Sequence, residues 1–131
     1  MENQVFTEGK HTSEDGWASF YNKSVGTVKG GWAWFRDNAA GEIHGGWAWF
    51  YDYAAGEVYN GVACFYGNAA GVVYGGTACF HGDASGEIHD GEAYFSDHAA
   101  GTVHGGVVHV YSPNCKVVLA EVSTGKIVNH F

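Results

Sequence analysis

The sequence predicts an all-β, single-domain β-solenoid. A fifteen-residue motif recurs seven times in register from Gly16, with copies such as GWAWFRDNAAGEIHG from Gly31 and GVACFYGNAAGVVYG from Gly61. Its restricted positions are all odd, and no window has helical periodicity. A short fixed period indicates that each copy is one structural unit, which buries its apolar side by stacking on its neighbours.

The phase of the motif predicts two short strands per copy. We number the positions from the leading Gly of each copy. Position three is mostly Ala, position five Phe, position nine mostly Ala, position eleven Gly, and position thirteen Val or Ile, from Val28 to Val118. These positions share one face of an extended chain, whereas positions two, four, six, twelve and fourteen vary and should face outward. The strands should span about positions two to six and ten to fourteen, joined at D-N-A-A-G and at G-G.

Two folds are consistent with this alternation of inward and outward positions. In a solenoid like residues stack on like, and seven coils form a rod about 34 Å long at the usual strand spacing. In an antiparallel meander of fifteen-residue hairpins the Gly-Gly pairs would be tight turns, and Gly41 would lie opposite Phe50. We favour the solenoid, because identical residues at identical phase suit like-on-like stacking and an open meander would leave an apolar face uncovered.

The ends of the chain depart from the repeat and predict caps. Residues 1–15 lack the pattern, 16–120 hold the seven copies, and 121–131 leave the register. A solenoid must blunt its terminal strand edges to avoid stacking end to end. We therefore expect an N-terminal cap over 1–15 and a C-terminal cap or tail over 121–131.

Composition restricts the partner classes. The formal net charge is −8, which argues against direct binding to a nucleic-acid backbone and allows a basic partner or imitation of a polyanion. No apolar run approaches a membrane span and the first residues do not resemble a signal peptide, so we expect a cytoplasmic protein with no membrane partner. Cys64 and Cys79 share position four in adjacent copies, within reach of a disulfide, but we expect reduced thiols in that compartment.

One segment resembles a known class of repeats. The run ACFYGNAAGVVYGGTACFHGDASGEIHDG is similar to the "G-N-A-x-V" repeat proteins of bacteria and their prophages, and the similarity covers about residues 31–110. Here the period is strictly fifteen, and Phe stands where those repeats usually carry Val. The resemblance implies a β-solenoid and a mobile-element origin, hence the host cytoplasm for a phage-encoded protein, and it implies no activity.

The tryptophans give the first candidate surface. All five lie at positions two and four of the first three copies, so they should form one outward patch joined by Tyr51. Exposed apolar patches of this kind usually mark an interface, although indoles can also stack along a ladder without binding anything. We expect a protein partner, with a homodimer or a carbohydrate-binding, adhesin-like module as alternatives. The predicted contact residues are Trp17, Trp32, Trp34, Trp47, Trp49 and Tyr51.

Carboxylates at and beside the turns give the second candidate surface. Asp37, Asp52, Glu42 and Glu57 recur at regular spacing, which could steer a basic partner or imitate the phosphates of a nucleic acid. A phage-encoded inhibitor of a host nucleic-acid-handling protein would combine this row with the tryptophans. The alternative is that Asp sits at turns for backbone reasons and that acidity keeps the rod soluble.

Catalysis and cofactors are not expected. Glu87, His89 and His104 should lie on one face within one coil, where two imidazoles and a carboxylate have metal-binding chemistry, but we favour a solvated polar face there. A regular repeat supplies no pocket with convergent acid, base and nucleophile. The sequence therefore predicts a non-catalytic interaction module without a cofactor.

Overall fold

The structure, a computed structural model, describes residues 3–131 and consists of short strands joined by tight turns. Each strand is four residues long. Within the described range no helix is long and apolar enough to cross a membrane. The strands are β1 (Asn3–Phe6), β2 (Lys10–Ser13), β3 (Trp17–Phe20), β4 (Val25–Val28), β5 (Trp32–Phe35), β6 (Ala40–Ile43), β7 (Trp47–Phe50), β8 (Ala55–Val58), β9 (Val62–Phe65), β10 (Ala70–Val73), β11 (Thr77–Phe80), β12 (Ser85–Ile88), β13 (Glu92–Phe95), β14 (Ala100–Val103), β15 (Val107–Val110), β16 (Lys116–Leu119) and β17 (Lys126–Asn129).

The strands form two parallel sheets, and each coil contributes one strand to each sheet. Odd-numbered strands form a nine-stranded sheet and even-numbered strands an eight-stranded sheet. The register joins equal phases, so Phe35 pairs with Phe50 and Gly41 pairs with Gly56. The predicted β-solenoid is confirmed, with about eight turns, and the antiparallel meander is wrong because Gly41 does not lie opposite Phe50.

The core is a single column of stacked phenylalanine rings between the sheets. Rings in neighbouring coils are nearly parallel, with centroids 4.5–4.8 Å apart. Each ring reaches across to the position-eleven glycine of its own coil: a Cβ built on Gly71 would lie 2.5 Å from Cζ of Phe65. Glycine therefore sets how closely the two sheets approach. The rings of the column are Phe20, Phe35, Phe50, Phe65, Phe80 and Phe95.

Both turns of a coil need left-handed backbone, for different reasons. At position one only Gly occurs, with φ from 76° to 89°, and it packs against the backbone of the preceding coil. At position seven φ lies between 57° and 65°, and Asn, Asp and Gly all occur there. Asn and Asp are the non-glycine residues that enter this region most readily.

The N-terminal segment forms a further coil of the solenoid. β1 and β2 pair in parallel with β3 and β4. The Phe6 ring lies 5.1 Å from that of Phe20 and is stacked on the other side by His11, at 3.9 Å. His11 stands in the register of a position-eleven glycine and covers the end of the core.

The C-terminal end differs from the predicted phase. Gly101 pairs with Val117 and Thr102 with Val118, so the seventh copy holds one extra residue. Val118 points outward and is 57% exposed, and our assignment of it to the buried position thirteen is wrong. After the irregular segment that follows β16, β17 rejoins the nine-stranded sheet beside β15.

Candidate interaction surfaces

The five tryptophans lie together on the outer side of β3, β5 and β7 in the nine-stranded sheet, and we call them the tryptophan face. Their parity is opposite to that of the buried Ala and Phe residues, as the sequence predicts. Trp17 and Trp47 are 38% and 48% exposed, and the other three are half-buried. The face therefore presents apolar surface to solvent over three adjacent coils.

The indoles of the tryptophan face stack on one another. Trp17 lies 4.9 Å from Trp32 and 4.8 Å from Trp34, and Trp34 lies 5.2 Å from Trp49, all with nearly parallel planes. These spacings match the distance between strands, so Trp32, Trp34 and Trp49 each have one broad side covered by an indole of the preceding coil. Trp47 stands further apart, 6.5 Å from Trp49.

A second aromatic column borders the tryptophan face at position six. Tyr51 stacks on Tyr66 at 5.3 Å, and Tyr66 stacks on His81 at 5.0 Å. The guanidinium carbon of Arg36 lies 4.6 Å from the centroid of the Tyr51 ring, in cation–π contact. Tyr51 is therefore continuous with the predicted surface, and the Arg36 charge is held beside it.

Asp37 and Asp52 link the position-seven turns of neighbouring coils. The carboxylate of Asp37 accepts the backbone N–H of Asn22 at 3.0 Å, and that of Asp52 accepts the N–H of Asp37 at 3.2 Å. Asp97 repeats the contact with Gly82 at 2.9 Å. Left-handed backbone explains why Asn, Asp or Gly occurs here, and the bond to the preceding coil favours Asp. Both Asp37 and Asp52 remain exposed at the edge of the nine-stranded sheet.

Glu42 and Glu57 lie on the other side of the molecule. They are outward residues of β6 and β8 in the eight-stranded sheet, not turn residues beside Asp37 and Asp52. The Tyr59 hydroxyl donates to Glu57 at 2.9 Å, and this bond is the main cause of the raised pKa of Tyr59. The single acidic surface predicted from the sequence is therefore divided between two faces.

The eight-stranded sheet carries a column of rings whose stacking the sequence reading missed. All five members occupy position fourteen, with centroid spacings of 4.6–5.2 Å and interplanar angles of 2–13°. A ring at one phase in five successive copies was the available signal. This ring column consists of His44, Tyr59, Tyr74, His89 and His104.

A shallow groove of about 860 Å³ runs along the same sheet. Its floor is the outward position ten, which holds Ala or Ser in the five coils that line the groove, and residues such as Val72 and Tyr74 line it as well. The groove exists because larger side chains at position twelve, such as Val72, and the Tyr74 ring stand beside the small side chains at position ten. The floor residues are Ala40, Ala55, Ala70, Ser85 and Ala100.

The fold brings the predicted metal-ligand candidates together. Glu87, His89 and His104 each offer a ligating atom, and these atoms lie within 4.8 Å of one another. Glu87 and His89 belong to one coil and His104 to the next, as the sequence predicts. The three groups form a compact cluster at the C-terminal end of the ring column.

Ser96 and His81 form the closest approach to a nucleophile–base pair that we find in residues 3–131. The Ser96 Oγ and His81 Nδ1 are 2.6 Å apart. Over that range no carboxylate hydrogen-bonds the His81 ring to orient it. The pair therefore lacks the third member of a catalytic triad.

The cysteines are free thiols, and two of them interact. Cys64 pairs in register with Cys79 on the outer side of the nine-stranded sheet. The hydrogen bond between the two thiols is the largest cause of both shifts: it raises the pKa of Cys64 and lowers the pKa of Cys79. Cys79 is therefore the more readily ionised of the two.

This asymmetry predicts an order of alkylation. In a Cys115→Ala background at pH 7.5, we expect iodoacetamide to modify Cys79 before Cys64, because a lower pKa leaves a larger thiolate fraction at a given pH. Cys64→Val removes the donor and should slow Cys79 alkylation several-fold, whereas Cys64→Ser keeps a donor and should slow it less. Peptide mass spectrometry of timed samples measures the rates. Preferential modification of Cys64 would contradict the assignment.

The resemblance to "G-N-A-x-V" repeats rests on the residues quoted above alone. A scan against protein-family models and searches of curated proteins and of solved structures find no significant match to this chain.

Proposed function

We propose that this protein is a non-catalytic interaction module that binds a protein partner through the tryptophan face. The observation that carries the proposal is the exposure of Trp17 and Trp47, at 38% and 48%, at the two ends of a five-indole cluster on one sheet. Large aromatic side chains that become desolvated supply most of the energy of typical protein interfaces. A cluster of this extent on a soluble rod is best explained by a partner that covers it.

The charges around the tryptophan face favour a partner with a basic rim. Asp37 and Asp52 lie exposed at the turn that follows β5 and β7, next to the indoles. Their hydrogen bonds to the backbone N–H groups of Asn22 and Asp37 fix the positions of the two carboxylates. Arg36 is engaged by the Tyr51 ring. An apolar patch rimmed by Lys or Arg would therefore be complementary in both polarity and charge.

The stacking geometry supports a protein over a sugar. A sugar ring packs on the open broad side of an aromatic ring, whereas three of the indoles here have a side covered by a neighbour and Trp34 has both sides covered, by Trp17 and Trp49. The ring edges that remain suit the packing of apolar and basic side chains. Trp47, 6.5 Å from Trp49, and Trp17, whose two stacking partners both lie in β5, are the more exposed indoles and have the most room for such a platform.

The spacing of carboxylates weighs against imitation of a nucleic acid. Position seven is acidic in only two adjacent coils before Gly67 and Gly82 interrupt it, and Val72 interrupts the glutamates of the eight-stranded sheet. A phosphate backbone presents charge without such gaps. The idea of a phage-encoded inhibitor therefore rests on the resemblance and on the tryptophan face.

The test is parallel affinity purification with the wild type and two variants from one lysate, followed by quantitative mass spectrometry. Trp47→Ala should remove the partner, since truncation of a tryptophan that anchors an interface typically costs about 2 kcal/mol or more, roughly a thirtyfold loss of affinity. Tyr74→Ala is the matched control, because Tyr74 is a similarly exposed ring, at 44%, on the opposite sheet. Circular dichroism should show the same thermal midpoint for both variants.

Measurements on the purified partner complete this test. Asp52→Asn keeps an oxygen for the Asp37 N–H but removes the charge, so we expect a lower association rate and a weaker salt dependence. A partner retained by Trp47→Ala and lost with Tyr74→Ala would overturn the proposal. So would sedimentation showing a dimer that Trp47→Ala dissociates, because the face would then bind a second copy of the chain.

A further inference from the structure

We propose that Glu87, His89 and His104 form a binding site for a divalent transition-metal ion, with Zn²⁺ as the ion we test. The inference is independent of the tryptophan face, which lies on the other sheet. It also goes beyond the solvated polar face that the sequence favours at these residues. Two features of the structure carry it: the geometry of the cluster and the environment of one imidazole nitrogen.

The solenoid ladder places the ligands. Glu87 is an outward residue of β12, and His89 and His104 follow β12 and β14 directly. The backbone N–H of His89 donates to Val73 at 2.8 Å and that of His104 to Ile88 at 2.7 Å. Both backbones are therefore fixed by the sheet, so little conformational entropy remains to be lost on binding at these positions.

Ring stacking orients the two imidazoles. His89 is stacked between Tyr74, at 5.2 Å, and His104, at 4.6 Å, with interplanar angles of 9° and 6°. The two rings consequently point in one direction from the sheet. In the next coil Ala120 stands beside His104 in register, and its N–H donates to the carbonyl of Val103. The ring column therefore ends at His104. The cluster occupies that end.

The second feature is a buried imidazole nitrogen that makes no hydrogen bond to the described residues. Nε2 of His104 is buried from solvent and, within residues 3–131, has no hydrogen-bond partner. It lies 3.4 Å from the Glu87 Oε1, close to the carboxylate but outside hydrogen-bond geometry. A buried polar atom without a partner is costly, and a metal ion between the two groups would satisfy both.

The donor set and the spacing suit zinc. Two imidazole nitrogens and one carboxylate oxygen are common zinc ligands, and tetrahedral coordination sets them about 3.3 Å apart. The ligating atoms here lie within 4.8 Å of one another, so small side-chain rotations close the gap. Glu87 and His89 are exposed and free to make them. A tetrahedral ion held by these three groups would keep a fourth position for water or a partner's side chain.

The chain contains its own matched comparison at the other end of the ring column. Glu42 and His44 occupy the phases of Glu87 and His89, with 3.6 Å between Glu42 Oε1 and His44 Nε2. In the next coil Tyr59 stacks on His44 at 4.8 Å, as His104 stacks on His89. The group of Glu42, His44 and Tyr59 therefore has two candidate ligands and lacks the second imidazole.

Calorimetric titration of untagged protein with ZnCl₂ tests the site. We expect one zinc ion per chain, a more than about tenfold loss of affinity for His89→Ala and for His104→Gln, and no change for His44→Ala. Zinc should raise the thermal midpoint of the wild type and of His44→Ala only, because binding to the native state stabilises it. Tyr59→His should raise the stoichiometry to two, since it completes the matched place.

Three results would overturn the proposal. The first is that no heat of binding is measured at a zinc concentration of about 100 μM, which is well above the dissociation constant expected of a useful site. The second is zinc binding that is retained by the His89→Ala variant and also by the His104→Gln variant, when each has a native circular dichroism spectrum. The third is equal loss of affinity for His44→Ala, which would mean that scattered surface histidines bind the ion.

Discussion

Gly61→Ala is expected to destabilise the solenoid strongly, by more than about 3 kcal/mol, whereas Gly67→Asn should change the unfolding free energy by less than about 0.5 kcal/mol. Both glycines have positive φ, at 85° and 65°, in adjacent turns of the same region. The expected difference comes from what a side chain would contact. Left-handed backbone alone therefore does not decide the outcome.

The contacts of the two positions differ in kind. A Cβ on Gly61 would lie 2.7 Å from the carbonyl oxygen of Gly46 and 2.9 Å from the carbonyl carbon of Gly45, so one coil would have to move away from the next. A Cβ on Gly67 would lie 3.3 Å from its nearest atom, the backbone nitrogen of Asp52. Asn22 occupies the equivalent position with φ of 57° and accepts the ladder hydrogen bond from Asn38, and an Asn oxygen at residue 67 could accept the Asp52 N–H.

Urea unfolding followed by circular dichroism measures this prediction. The midpoint for Gly61→Ala should fall well below that of the wild type, and the midpoint for Gly67→Asn should coincide with it. Because coils can unfold in steps, the curves should be followed in the near- and far-ultraviolet together. Equal losses for the two variants would mean that φ, and not the approach of neighbouring coils, controls these turns.

Gly71→Ala is the second substitution with a large expected effect, at about 2–3 kcal/mol for overpacking a filled core. The new methyl group would lie 2.5 Å from Cζ and 2.7 Å from Cε1 of Phe65. That ring is fully buried and is stacked between Phe50 and Phe80, at 4.6 and 4.8 Å, so it has little room to withdraw. The backbone of Gly71 is ordinary strand, so no backbone strain contributes.

A double-mutant cycle isolates this contact. Phe65→Leu shortens the side chain and should cost about 2 kcal/mol alone, from the lost stacking and the cavity it leaves. Combined with Gly71→Ala the two losses should not add, with a favourable coupling of about 1 kcal/mol or more, because the methyl group fills space that the ring vacated. Ala70→Ser is the control: it faces outward, as Ser85 does in the same column, and should be neutral. Additive losses would mean that the ring does not limit the approach of the sheets.

The sequence was most informative where phase alone carries the meaning. Phe35 and Phe50 share a phase, and parity places them inside, so parallel stacking of equal residues follows from the repeat. The outward placement of Trp32 and Trp34 follows from the same parity. The association of Glu87, His89 and His104 was predictable too, because it needs only a strand register of one coil.

The predictions were wrong or incomplete where geometry beyond phase decides. Glu42 and Asp37 are near neighbours in the chain, but the turn between β5 and β6 places them on different faces. Val118 was assigned inward because the one-residue insertion near Pro113 cannot be recognised from the sequence of the degraded seventh copy. The buried Nε2 of His104 depends on the direction of a ring and on the chain that passes beyond it, neither of which has a local signal.

By itself, the sequence determined that this protein is a parallel β-solenoid with a buried Phe, Ala, Gly and Val interior and a tryptophan face at one end. A period of fifteen with alternating burial leaves few other ways to satisfy hydrogen bonds and cover apolar side chains. Only the tertiary structure decided how closely the sheets approach, which carboxylates share a face, and which imidazole nitrogen lacks a partner. Those properties depend on contacts between different positions of the motif, across the two sheets and at the turns. The repeat period specifies only which equal positions stack on one another.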